Sequence, residues 1–152
     1  MDTIRELIIQ AIIARAAVIL TTGTPQAYAT DIGATVLRAR PKVDPTELPC
    51  TIVWPHLETA KNVYGKSRRE MPVKVEGLVA FGTVDPSVIS ERILGDLIKC
   101  FTSPAWEPGY IESIVYQSGG VESPLDDGSI SVGNQAVFLV VYDTKVGDPY
   151  TQ

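Results

Sequence analysis

Histidine occurs once in this chain of 152 residues and cysteine only twice. A metal centre draws three or four ligands from His, Cys, Asp and Glu. Here His56, Cys50 and Glu58 are loosely spaced, and no cysteine pair stands beside them. His56-Leu57-Glu58 imitates the His-x-Glu of zinc deaminases, but the matching Pro-Cys-x-x-Cys is absent. Cys50 and Cys100 are too few for a disulfide framework. Both lie in apolar stretches and read as small buried hydrophobes, in keeping with a reduced, intracellular origin. There is no Gly-x-Ser-x-Gly elbow for a nucleophile. Gly119-Gly120 leads to neither a helix nor a Lys-Ser/Thr, so it is not a phosphate loop. Asp126 and Asp127 sit in a turn-rich stretch and read as solvated. The expectation is a chain without catalytic residues, cofactor or metal: not an enzyme.

Positive charge is also scarce. With 13 Lys and Arg against 18 Asp and Glu the net charge is −5, and the pI is about 4.8. General nucleic-acid binding needs a basic face to displace counterions from phosphates, and the totals speak against one. The exception is residues 61–69, Lys-Asn-Val-Tyr-Gly-Lys-Ser-Arg-Arg, which hold four cations and no acid. Without them the chain has 9 cations against 18 acids, or −9. Such a run is often plain solvated surface. As a nucleic-acid element it offers one aromatic, Tyr64, on a body whose field repels phosphate. As a docking element it offers Lys61, Tyr64, Lys66, Arg68 and Arg69.

Long uncharged apolar runs are missing as well. The apolar N-terminal stretch opens on Met1-Asp2 and carries Arg5, Glu6, Gln10 and Arg15, which suits neither a signal peptide nor a membrane span. Thr3-Ile4-Arg5-Glu6 has capping-box form and predicts a helix to about residue 20. Ile4, Leu7, Ile8, Ala11, Val18 and Ile19 form one stripe, with Ile9, Ile13 and Leu20 opposite. A helix apolar nearly all round needs cover on two sides, and a neighbouring subunit is the economical second cover. Ile9, Ile13, Arg15 and Leu20 are therefore candidate interface residues. Arg15 either pairs within its own subunit or forms an ion pair across the interface.

The rest of the pattern is strands around one more helix. Residues 34–40 and 50–57 read as strands, the second with Cys50, Ile52 and Trp54 on one face. Residues 71–81 alternate with period two, and the second and third strands predict an antiparallel pair around a long basic connection. Asp85-Pro86 starts a helix whose stripe is Ile89, Ile93, Leu94, Leu97, Ile98 and Phe101, with Ser90, Glu91, Asp96 and Lys99 outside. Residues 110–117 and 136–142 are the last strands, and Ser129 to Val132 extends the second around a bend at Gly133. The order α-β-β-β-α-β-β, with no repeat or linker, predicts one α+β domain over 1–152: a mainly antiparallel sheet of about five strands, two helices packed on it, and a long β-hairpin arm.

Several segments combine over nearly the whole chain. Met1-Asp2-Thr3-Ile4-Arg5 opens it. Asp44-Pro45, with Glu47-Leu48-Pro49, then leads into Trp54-Pro55. Gly65 and Arg69-Glu70-Met71-Pro72-Val73 make a hairpin, and Ile93-Leu94-Gly95-Asp96-Leu97 lies on the second helix. Tyr116-Gln117, Gly119-Gly120, Tyr142, Thr144 and Gly147-Asp148-Pro149-Tyr150 close the series. This layout resembles the tail terminator (tail completion, minor tail) proteins of long-tailed bacteriophages and prophages. The resemblance implies a structural subunit that closes into a hexameric ring on the finished tail tube, ends its growth and offers a surface to the head connector. A flexible loop, matching residues 59–70, and the outer sheet face would dock on the tube. Partners would be further copies of the chain, the major tail tube protein and the head–tail connector, with no membrane and no specific nucleic-acid binding. The protein would reside in the virion tail, and in the host cytoplasm during assembly. Another neck or tail component, such as a head–tail joining or tail tube protein, is the alternative; a nucleic-acid-binding module is a more distant one.

Overall fold

Thr3 caps the first helix as its pattern predicts: its hydroxyl accepts from the Glu6 N–H at 3.1 Å, satisfying one of the orphan donors of the first turn. In this computed structural model, which describes residues 1–23, 27–121 and 130–152, Glu6 does not return the capping bond. It grips the Arg38 guanidinium instead, at 2.7 and 2.9 Å. Pro25, Asp126, Asp127 and Ser129 lie outside the described residues.

The chain runs α1 (Ile4–Ala16), β1 (Val36–Arg38), β2 (Cys50–Pro55), β3 (Thr59–Val63), β4 (Lys66–Ala80), α2 (Pro86–Phe101), β5 (Ser113–Gly120) and β6 (Ser131–Lys145). Among the described residues the fold is α+β, with two helices and one mixed six-stranded sheet ordered β1-β2-β4-β6-β5. β3 lies on the same side of β4 as β2. Among the described strands only β1 and β2 run parallel; the other pairings are antiparallel. The additional strand is β3, in the stretch whose polarity predicts a loop. Thr59, Ala60, Lys61 and Asn62 are all exposed, so no period-two apolar signal marks them, yet their backbone is fully laddered to β4.

Pro72 explains why β2 and β3 are separate strands. It sits inside β4, accepts from the His56 N–H at 2.9 Å, and has no N–H to return on that side. The ladder breaks there, after Pro55↔Val73 and before Thr59↔Glu70. On its other side β4 pairs with β6 without interruption from Lys66↔Lys145 to Ala80↔Ser131. β6 therefore passes Gly133, where a bend was expected, in regular register with Leu78.

One sheet face carries the core. Met71, Val73 and Val75 of β4 and Ala136, Phe138 and Val140 of β6 lie under Ile8, Ile12, Ile93, Leu97 and Phe101 of the helices. Each of the fully buried Val, Ile, Leu, Met and Phe side chains among them contributes about 1.5–3 kcal/mol. Phe101 meets Phe138 and Trp106 at ring centroid distances of 5.2 and 5.6 Å. α2 starts as expected, with Asp85 accepting from the Ser87 N–H and Pro86 at the first position. Its polar side departs from expectation: Ser90 and Asp96 are buried. Asp96 accepts from the Ala29 N–H at 3.0 Å and from the Thr30 N–H and hydroxyl at 2.8 and 2.7 Å, anchoring the segment before β1. A carboxylate that satisfies three donors can be buried where an unpaired one could not.

Candidate docking surface

The turn between β3 and β4 has two residues, Tyr64 and Gly65, with φ of 49° and 80°. Positive φ at both central positions is the type I′ arrangement whose twist matches the flanking strands. Gly65 adopts it freely, whereas Tyr64 does so at a cost of about 1–2 kcal/mol. The phenol stands fully in solvent at the tip. The expected flexible loop is thus a tight hairpin, and its inner strand is clamped on both sides by β3 and β6.

Strand alternation separates the four cations. Lys61 and Lys66 fall on the sheet face away from the helices, in the rows Lys61↔Arg68↔Asp143 and Val63↔Lys66↔Lys145. Arg68 shares that face but is spoken for. Its Nη2 pairs with Glu112 and its Nε reaches Asp143 at 3.3 Å. Arg69 points to the helix side and binds Glu58 at 2.8 Å. Arg68 and Arg69, expected as docking groups, are therefore engaged inside the subunit, and Lys61, Tyr64 and Lys66 remain exposed. The residue run could not show this, because Glu112 and Asp143 come from distant segments and Glu58 lies just outside the run.

Glu58 holds the base of the hairpin. It sits at the break between β2 and β3, accepts from the Tyr142 phenol, and faces Arg5 of α1 at 3.1 Å as well as Arg69. Burial alone would raise its pKa, but the Tyr142 hydrogen bond and the two arginines outweigh that and hold it below its ordinary value. Tyr142 shifts upward in turn, through burial first and then the bond to Glu58.

Both helices lie on one face of the sheet, and the opposite face is open over β4, β6 and β5. Its centre is the apolar row Pro72↔Leu139↔Val115, with Val141 and Val137 on either side along β6. All five are partly or well exposed, Val115 at 53%. Towards β2 the face is partly covered. Ile52 is buried, the Lys74 ammonium lies 5.3 Å from the Trp54 ring centre, and residues 40–43 flank a cleft of about 260 Å³. Leu57, beside the hairpin base, is almost fully exposed.

The other candidate surface, on α1, is largely used within the subunit. Ile9 is 2% exposed and belongs to the core, which overturns its place on an outward interface. Ile13 packs partly against the same core. α1 packs against α2 on one side and against β1 and β2 on another, within the same subunit. Arg15 donates to the Cys100 carbonyl at 3.0 Å and lies 5.7 Å from the Trp106 ring centre, so it is held by its own chain. The helix ends before Val18, which is exposed, and Leu20 is half-buried in the turn beyond.

Three contributors were not singled out from the sequence: Lys145, Glu112 and Asp143. Strand pairing alone brings them to the basic stretch. Among the described residues there is no cluster of three or more His, Cys, Asp or Glu that could hold a metal ion, and no helix is long and apolar enough to cross a membrane. No protein-family model matches the chain, and no curated protein matches its sequence.

Proposed function

We propose that this chain is a structural assembly subunit, a ring-forming terminator of a phage tail tube, which docks through the open face of its sheet and the hairpin end beside it. The single observation that carries this reading is the open face itself. A six-stranded sheet with both helices on one side leaves Pro72, Val115, Val137, Leu139 and Val141 in one contiguous row-and-flank patch. Burying such a patch is the ordinary driving force of association. Unpaired lysines at one end of the patch suit a polar rim that sets encounter rate and register. The layout of sequence motifs supplies the tail-terminator assignment, with further copies, the tube protein and the head connector as partners, in the virion tail.

A closed ring needs two different patches per subunit. Light scattering after size-exclusion chromatography tests this: a species six times the 16.5 kDa chain is the expected result. A strict monomer at high concentration and physiological salt would overturn it. Open filaments in place of rings would favour the tail tube protein reading.

A further inference from the structure

Lys66 and Lys145 are directly opposed across the β4–β6 ladder, on the open face. Like charges facing each other across two strands destabilise the sheet. Among the described residues neither lysine has a carboxylate within ion-pair distance, and neither does Lys61, one row along. Most of the acids nearby are engaged; Glu70, diagonal to Lys61 on the same face, makes no ion pair among the described residues. Glu112 and Asp143 are held by Arg68. The Asp148 carboxylate accepts from the Tyr150 N–H at 2.9 Å and from the Thr151 hydroxyl at 2.8 Å; it stays charged and lies near enough to Lys145 to feel its field without pairing with it. Beside the pair opens a cleft of about 320 Å³ lined by Lys66, Tyr110, Ile111, Glu112, Asp143 and Gln152. The Tyr64 phenol projects from the neighbouring turn.

We infer that Lys66 and Lys145, with Lys61, form a carboxylate-binding clamp that takes an acidic segment of a partner protein. Arg68 is the positioning residue, because it holds Glu112 and Asp143 and offsets part of their negative charge beside the clamp. This deepens the docking reading above and rests on it for biological context, though the binding itself is a property of the single subunit. A protein segment fits better than phosphate. The rest of the chain is acidic enough to repel a polyanion of nucleic-acid length, whereas a short acidic segment meets the lysines alone.

The test uses fluorescence anisotropy with a labelled deca-glutamate peptide at low salt, and a ten-nucleotide single-stranded DNA of equal label. The wild type is expected to bind the peptide, with affinity falling as salt rises, and to bind it at least tenfold more tightly than the DNA. Lys66→Gln with Lys145→Gln should lose at least tenfold in peptide affinity, while Lys42→Gln, on an exposed loop, should not change it. Arg68→Gln should also weaken the peptide, although it removes no clamp residue. Lys66→Glu should raise Tm while abolishing binding, since it turns a like-charge pair into an opposite-charge pair. No peptide binding at low salt, tighter DNA than peptide, or full binding by the double glutamine variant would each overturn the clamp. A wild type that forms rings but ignores the peptide sinks the clamp alone. A permanent monomer that binds the peptide sinks the ring alone.

Discussion

The phenol of Tyr142, near the end of β6, donates to the carboxylate of Glu58, at the break between β2 and β3. That bond ties the hairpin base to the strand that runs the length of the sheet, and Arg5 and Arg69 close the network from α1 and β4. Its members come from four separate places in the chain.

Disturbing this network should cost stability in graded fashion. Tyr142→Phe removes one hydrogen bond to a charged group and is expected to cost about 1.5–3 kcal/mol. Glu58→Gln leaves two part-buried arginines without their counter-charge, and about 3 kcal/mol or more is expected. Because the Glu58 pKa is held down in the folded state, its contribution is present above its ordinary value of 4.5 and disappears as pH falls through the lower folded value. Urea unfolding across pH 3–7 checks both points. The wild type should lose stability below about pH 4.5, and Glu58→Gln should lose less over that interval.

The cations of residues 61–69 should divide into two groups. Lys61→Ser with Lys66→Ser should leave the unfolding midpoint within about 0.5 kcal/mol of wild type, or slightly improve it. Arg69→Ser should destabilise by about 2 kcal/mol or more, since Glu58 keeps only Arg5 and the phenol. Equal effects from the two variants would show that the assignment of Arg69 to a structural role is wrong. Differential scanning calorimetry reads both.

Gly33 should not tolerate even a methyl group. A Cβ built there would lie 2.6 Å from the Ala16 carbonyl oxygen and 2.8 Å from both the Ile19 nitrogen and oxygen, all of them backbone atoms. Nothing flexible can yield, so Gly33→Ala is expected to cost about 3 kcal/mol or more, or to prevent folding. Gly82→Ala, where no atom lies within 4 Å, is the matched control and should be close to neutral.

The two thiols should be inert in the native state. Burial pushes both Cys50 and Cys100 up to about 11, and both lie in the interior. The thiolate is the reactive form, so labelling by a disulfide reagent at pH 8 should follow the rate of opening. As the folded thiols stay neutral while unfolded ones ionise near 9, stability should fall as pH rises from about 9 to 11. Rapid native labelling at pH 8 would contradict the burial.

Local chemistry made part of this protein readable from the sequence. Thr3 and Asp85-Pro86 announced the helix starts because a cap depends on residues within one turn. Val73, Val75 and Val79 announced the central strand because alternation repeats at every second residue. The buried thiols followed from their apolar neighbours. Tertiary structure alone decided the rest. β3 exists because β4 offers it a free edge, and backbone pairing is indifferent to polar side chains. Asp96 is buried because Ala29 and Thr30 bring it donors from 66 and 67 residues away. Ile9 is interior because it lies on the face of α1 between Arg5 and Glu6, the side that meets the end of β2 and β1 within the same subunit. The basic run divides because strand alternation sends Arg69 to Glu58 and Arg68 to Glu112 and Asp143, while setting Lys66 against Lys145. A sequence records how many charges stand in a row; which of them stay free depends on acids that only folding brings within about 4 Å.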